Sequence, residues 1–475
     1  MSDTRGLLDR ISAFRNRLGT RSGATVEVAE TSVAGAEPEA FRQTLRQITG
    51  AAALAESTVP PQLTSRARQL LQSARDLLGR QRKFTADPVF TGISGDESDP
   101  IVAYHHETTS VMDSAVRMAQ VFPDSPTVQL KLCDGLEGVL SIVKERLAVQ
   151  ERALAQRRTD VGRIDRLAAA FTAMSQMRAV NLKPVAALSE EILEDARQTK
   201  PLRFLSADPR STQSYPGAME FLAPARFIAA HAVNVAQVVA RIVHLDYEWA
   251  GRPLLPVLGA LLMDCGMMRI SAEVLARSGK LTADEKRQIE SHPQYGAEWV
   301  VRYVQDAAPL ADAIATHHER ADGTGYPVGL KGSTIPALGR MLAVADVYVG
   351  MCEDRPHRQG QDTRATLTDV LLLAEHGQLD RDFAEYLIQL SFYPVGAVVE
   401  LTDGRVGVVA ANHSNRMDPR TPGRPVVAVL AEADGTVLPR PEHVDLSASA
   451  RGGILRTLSA EKRRTLLGAR YPDLV

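Results

Sequence analysis

From Thr127 to about Val180 the chain runs with almost no helix breaker apart from isolated glycines. Such a run predicts a long helix. Leu140, Leu147, Leu154, Val161 and Ala168 recur every seven residues, and Val143, Ile164 and Phe171 occupy a second seam position. Gln150 and Arg157 interrupt that second seam. A seven-residue recurrence lays an apolar stripe along one face of a helix, and the stripe must be covered. The expectation is a homodimer formed through these N-terminal helices, with helices of the same chain as the alternative cover.

The surrounding pattern makes the chain mainly α. Residues 1–39 read as a short helix, about 5 to 18, followed by a flexible linker. Residues 40–205 read as a helical region, dimerising or sensory. Helical patterning runs from Phe41 to Phe84 with an interruption at Pro60-Pro61, and Thr85 to Ile101 reads as a loop. His105-His106-Glu107 reads as a polar helix start, since nothing nearby completes a ligand set. Residues 206–393 form a further helical domain, with helices expected over 217–245 and Leu254–Met268. Thr282 to Glu285 is a capping box, in which threonine and glutamate satisfy free amide donors at a helix start. That helix should end near Ser291-His292, and the next should begin at Pro293. Past Pro394 the period changes. Val398 to Val409 reads as strand, Asp-Gly turn, strand, and Val426 to Leu438 repeats the arrangement. Residues 394–447 therefore read as a small β module and 448–475 as a C-terminal tail.

Bulk properties exclude several function classes. A formal charge of −2 gives no case for a polymeric nucleic acid as partner. Cys133, Cys265 and Cys352 lie far apart, which argues against a disulfide framework and a zinc ribbon. The N-terminus carries charges throughout and does not read as a signal peptide. Phe227 to Leu245 is apolar but contains His231, Asn234, Gln237 and Arg241, so a buried helix is expected rather than a membrane span. The expectation is a cytoplasmic protein.

The chemistry concentrates at His317-His318-Glu319-Arg320-Ala321-Asp322-Gly323-Thr324-Gly325-Tyr326-Pro327. Neutral imidazole is a common metal ligand, and a carboxylate can bridge two cations. Gly323 and Gly325 allow the backbone to approach a ligand closely. Downstream come Gly329-Leu330-Lys331-Gly332-Ser333-Thr334-Ile335-Pro336, then Arg340 to Tyr348, then Arg355-Pro356-His357-Arg358. This run, with its fixed spacing, resembles the signature region of HD-GYP domains, the metal-dependent phosphodiesterases of bacterial cyclic-di-GMP signalling. The resemblance covers about 206 to 392 and implies the family's all-helical HD fold there.

The resemblance also implies roles. His231, Asp264, His292, His317, His318 and Asp346 match the metal ligands, with Asp264 as the bridging, catalytic carboxylate. Gly325, Tyr326 and Pro327 match the loop for which the family is named. Arg355 and Arg358 are candidates for clamping phosphates, because guanidinium pairs bidentately with phosphoryl oxygens. The implied cofactor is a divalent metal (manganese, iron or magnesium), as one or two ions. The implied partner is a cyclic dinucleotide.

Two positions depart from the pattern. The histidine of the HD pair is Met263, and the lysine three residues after Asp264 is Met267. A thioether is a poor ligand for hard cations, so one of two metal sites should be weak. Phe227 stands where trinuclear members carry a glutamate, so a third metal is not expected. Two functions follow from the resemblance. One is a weak or inactive site that binds nucleotide or metal and signals. The alternative is an active cyclic-di-GMP phosphodiesterase. A purely structural docking module is a third reading, which the intact loop at Gly325 to Pro327 argues against.

Overall fold

The structure is a computed structural model. It describes residues 61–471 apart from 98, 120–125, 199, 201, 206, 208–223, 354, 356–357, 359, 362, 390–392, 394–395, 412–423, 449–451, 459 and 468–470. The helix and linker expected in 1–39 lie outside the described residues. The architecture is mainly α with a small antiparallel sheet near the C-terminus. Two compact units divide near residue 154.

The first unit is built from α1 (Pro61–Thr85), α2 (Pro88–Ile93), α3 (Pro100–Ala119) and the first part of α4 (Pro126–Ser175). The stretch expected as a loop holds α2. Asp87 caps it by accepting the amide of Val89, and Pro88 sits at the first helical position, where no amide is missed. His105 is not a helix start but lies inside α3. Its ring is buried 5.4 Å from Phe84 and 5.0 Å from Phe90. Asp99 starts that helix instead, accepting from Ile101 N at 2.9 Å.

At 50 residues, α4 is about 75 Å long at the standard rise. The chain's own helices cover much of its apolar stripe, with Leu140 and Val161 half-buried. Val143 and Leu147 pack with Leu77, Val111 and Met112, while Leu154 joins Phe84, Val89, Phe90 and Ile101. Gln150, a break in the seam, is fully buried and donates to Thr108 Oγ1 at 2.7 Å. It is a hydrogen-bonded contact to α3 rather than a defect. These contacts favour cover from within the chain over this part of the seam.

The second unit begins with the remainder of α4. Ile164, Leu167, Ala168, Phe171 and Met174 enter its main core. Arg163 and Arg166 pair with Asp195 and Glu191 of α5 (Lys183–Arg197). The core helix is α6 (Ala225–Leu245), which begins after Pro224; the earlier start expected at 217 falls outside the described residues. Among the described helices, α6 alone is long and apolar enough to cross a membrane, and most of it is buried inside this unit. It packs on α7 (Leu254–Leu262).

The helix expected over Leu254–Met268 is broken. After Leu262 the chain turns through Met263 and Asp264 into a 3-10 helix, Cys265–Arg269. Gly266 explains the break. A Cβ there would lie 2.1 Å from the carbonyl oxygen of His292, so the segment is pressed against the start of the next long helix. Further on come α8 (Ala272–Leu275), α9 (Ala283–Glu290), α10 (His292–Tyr303) and α11 (Ala308–Thr316). The expected capping box at Thr282 and Glu285 is present at α9. The helical part closes with α12 (Ala337–Cys352), α13 (Thr363–Glu375) and α14 (Arg381–Gln389).

The sheet has the order β4-β3-β2-β1-β5. Its strands are β1 (Val398–Leu401), β2 (Val406–Ala411), β3 (Val426–Ala431), β4 (Val437–Asp445) and β5 (Ile454–Thr457). As the Asp-Gly signal implies, β1 and β2 form a hairpin, with Val398 opposite Val408 and Gly404 at φ 86°. The stretch read as a tail adds β5, which pairs with β1, and α15 (Ala460–Leu467). Val399, Leu401, Val409, Val427, Val429 and Ile454 fill the sheet's own small core.

Candidate metal centre

Five elements bring the six candidate ligands together. His231 lies midway along α6, Asp264 in the break after α7, and His292 at the first position of α10. His317 and His318 follow the end of α11, and Asp346 lies on α12. Asp264 is the hub. One carboxylate oxygen lies 3.1 Å from His292 Nε2 and 3.7 Å from His317 Nε2, and the other lies 3.6 Å from His231 Nε2. Asp346 receives His231 Nε2 at 3.0 Å and lies 3.8 Å from His318 Nδ1. Ligand atoms of Asp264, His292, His317 and His318 all fall within 4.8 Å of one another.

Hydrogen bonding fixes which nitrogens face inward. His292 Nδ1 lies 2.7 Å from the carbonyl of Ile289, and His317 Nδ1 lies 2.6 Å from that of Ile314. A carbonyl oxygen has no proton to give, so each Nδ1 is the donor. In the neutral ring the other nitrogen, Nε2, is then a lone-pair acceptor. These two Nε2 atoms lie 3.3 Å apart beside a carboxylate. Two such nitrogens facing each other beside a carboxylate call for a positive charge between them, a proton on one ring or a cation. A divalent cation suits such a place, and the donor set of imidazole and carboxylate fits one.

Electrostatics follow the same division. Burial would raise the Asp264 carboxyl, but the imidazoles of His292 and His317 hold it well below the ordinary range, so it is an anion. Burial and the neighbouring His317 push His318 well below the usual histidine value, leaving it neutral. His231 is the opposite case. Burial would lower it, but the Glu353 charge and hydrogen bonds to Asp346 and Glu353 lift it to about 10.

The loop after His318 is shaped by Glu319. Its carboxylate is almost fully buried and accepts from the amides of Val328, Gly329 and Leu330 at 2.8–3.1 Å. The other loop carboxylate, Asp322, accepts from Thr324. Gly325 allows the close return, since a Cβ would sit 2.3 Å from Arg320 N. Tyr326 stacks on His318, with centroids 4.7 Å apart and planes 21° apart, and the Tyr326-Pro327 bond is cis. Burial and the charges of Asp346 and Asp264 raise the Tyr326 hydroxyl, which stays protonated.

Both candidate phosphate-clamping arginines make contacts within the chain. Arg358 donates to the carbonyls of Met351 and Gly350 and so caps the end of α12. Arg355 Nη2 lies 3.6 Å from Glu353. Met263 is fully buried in the main core, and Met267 packs at its edge.

Glu353 is the residue that sequence reasoning missed. It follows α12 directly, seven residues after Asp346, and lies 2.7 Å from His231 Nδ1. Seven residues are two helical turns, which places it on the face of Asp346. That spacing was the available signal.

Residues 219–383 match the family model described as HD domain, and residues 398–466 match that described as KOW domain associated with HD domain. The helical centre is thus an HD domain. The loop at Gly325 to Pro327 resembles that of the HD-GYP type, and relatives of this region are named cyclic di-GMP phosphodiesterases. The chain is 39% identical over 162 residues to the cyclic di-GMP phosphodiesterase PA4108 of Pseudomonas aeruginosa, covering 34% of this chain and 38% of that one. It is 39% identical over 126 residues to the cyclic di-GMP phosphodiesterase response regulator RpfG of Xanthomonas campestris pv. campestris, covering 26% and 32%. It is 33% identical over 138 residues to the 3'3'-cGAMP-specific phosphodiesterase 3 of Vibrio cholerae, covering 28% of each. The matches span well under half the length of each of these relatives.

Proposed function

We propose that the HD domain binds a cyclic dinucleotide at a divalent-metal centre and acts chiefly in signalling, with weak or no hydrolysis. One observation carries the metal reading: the facing Nε2 atoms of His292 and His317 beside the Asp264 carboxylate. Asp264, His292, His317 and His318 would hold one cation (manganese, iron or magnesium), and His231, Asp264 and Asp346 would hold a second, weaker one. A bound cation would neutralise phosphoryl oxygens and make a bound water more acidic. The chain's own residues do the rest. Tyr326, stacked and protonated, offers a hydroxyl donor beside the centre. Met267 supplies neither charge nor proton to a leaving group. Met263 supplies no hard-metal ligand to the second cation. The relatives, named as phosphodiesterases of cyclic di-GMP and of 3'3'-cGAMP, support the ligand class.

One observation favours the alternative of an active phosphodiesterase. His231 Nε2 still lies 3.0 Å from Asp346 and 3.6 Å from Asp264, so the second group of ligands is assembled despite Met263. Elemental analysis of purified protein, run beside turnover assays with cyclic di-GMP and 3'3'-cGAMP, separates the two. One tightly held ion per chain and negligible turnover is the expected result. Two tightly held ions with enzyme-like turnover, about one per second or faster, establishes the alternative.

A further inference from the structure

A metal-binding imidazole works best when its outer nitrogen is hydrogen-bonded, because that bond fixes both the tautomer and the ring orientation. His292 and His317 obtain this bond from the carbonyls of Ile289 and Ile314, each three residues earlier. They can do so because both sit at helix ends, where carbonyls are left over. His231 has no such supply. It lies inside α6, whose carbonyls are engaged by the helix's own amides. A side chain must do the work there.

Glu353 is placed to do it. Its Oε2 accepts from His231 Nδ1 at 2.7 Å, which leaves Nε2 aimed at Asp346 and Asp264. Its Oε1 accepts from Asn234 Nδ2. Asn234 is itself fixed. Its amide donates to Leu205 O and accepts from Leu205 N, both at 2.8 Å, and the residue is fully buried. Both protons of that amide and its oxygen are therefore engaged, and the Glu353 carboxylate cannot swing away without breaking the set. Gln237, one turn further along α6, holds Arg203 O at 2.9 Å. The segment at Arg203 to Leu205 is thus clasped by the same helix face that orients Glu353.

We propose that Glu353 is the positioning residue that presents His231 Nε2 to a cation, with Asn234 and the Leu205 backbone as the clasp that holds it. This rests on the metal reading above. Glutamine at 353 has only one oxygen. It cannot offer the two separately placed acceptor oxygens that His231 and Asn234 use, so Glu353→Gln should be intermediate and Glu353→Ala severe.

The test uses the full chain loaded with Co2+. Affinities are read by competition with a chromophoric chelator, and the exchangeable His231 Nδ1–H proton is followed by paramagnetic NMR. Glu353→Ala should weaken the more loosely held ion by about 10–100-fold, the range for loss of an outer partner, and should abolish the protected proton signal. The tighter ion should be nearly unchanged, and Glu353→Gln should fall between. A merely structural role would weaken both ions together and leave no graded order. That result overturns the inference. So does a parent protein whose ion affinities and proton signal survive Glu353→Ala. A parent chain that takes up no Co2+ overturns the metal reading itself, and this inference with it.

Discussion

The two halves of the centre solve one electrostatic problem in different ways. Around His292 and His317, two rings are oriented by backbone carbonyls and turn their Nε2 atoms toward Asp264. Around His231, the ring lies between two carboxylates, Glu353 on one nitrogen and Asp346 on the other. The first half leaves a place that a positive charge must fill. The second, as it stands, fills that place with a proton, since His231 is held charged to about pH 10. His231 stands between two carboxylates, so a proton on its ring would compete with any cation for the same pole.

Asp264 belongs to both halves, so Asp264→Asn should have the largest effect. Losing a direct, shared ligand should cost more than the roughly 10–100-fold seen for outer partners, and should do so for both ions. Calorimetric titration with Mn2+ measures this. Retention of one ion at parent affinity would show that the halves do not share their carboxylate, and the comparison would break.

Met263→His with Met267→Lys should come next. The first change adds a hard-metal ligand to the half that lacks one. The second returns a cation and proton donor, and such groups contribute about 10²–10⁴-fold. Cyclic di-GMP hydrolysis should rise by about that factor. If the parent already turns over at about one per second or faster, the contrast between a complete and an incomplete half has no functional meaning.

Gly266→Ala should act on the first half through the fold. The added methyl would meet the backbone of His292 and Gly296, neither of which can swing aside. Overpacking of this kind costs about 1–3 kcal/mol. Urea unfolding should report that loss, together with weaker binding of the tighter ion. An unchanged midpoint would mean that the Asp264 segment is not pressed against α10.

The two halves also differ in how far the sequence discloses them. The first was legible because its ligands sit in short motifs: the His317-His318 pair, and His292 just ahead of Pro293. The six ligand candidates came from the family pattern, and the structure brings all six together. Glu353 was not legible in the same way. It acts on a histidine 122 residues earlier in the chain, so only the packing of α12 on α6 reveals the pair. The break after Leu262 escaped for a related reason. The local pattern there is helical, and the approach of Gly266 to α10, a tertiary contact, overrides it. The sheet's hairpins were legible from their Asp-Gly turns. The fifth strand was not, because Ile454–Thr457 is short and pairs with a strand about 55 residues before it in sequence. The seven-residue period marked α4 correctly as one long helix, but a period cannot say whether neighbours or a second copy cover the stripe.

Glu319→Gln should have the smallest effect, and it tests where the first half ends. Glu319 follows His318 directly, yet its carboxylate faces away from the centre and gathers the amides of Val328, Gly329 and Leu330. Both oxygens are engaged by these donors. Glutamine has one acceptor oxygen, and its NH2 group would face an amide N–H that it cannot satisfy. A buried donor left unsatisfied costs about 1–3 kcal/mol, and here the cost should fall on the loop alone. Amide exchange at Val328 to Leu330 should quicken, and cyclic di-GMP should bind several-fold more weakly because Tyr326 is less firmly placed. Mn2+ affinity should hold, since His317 is fixed by Ile314 and not by the loop. If Mn2+ affinity falls together with nucleotide affinity, the loop is part of the metal-binding half. In that case the orientation of His318 depends on Glu319 as that of His231 depends on Glu353.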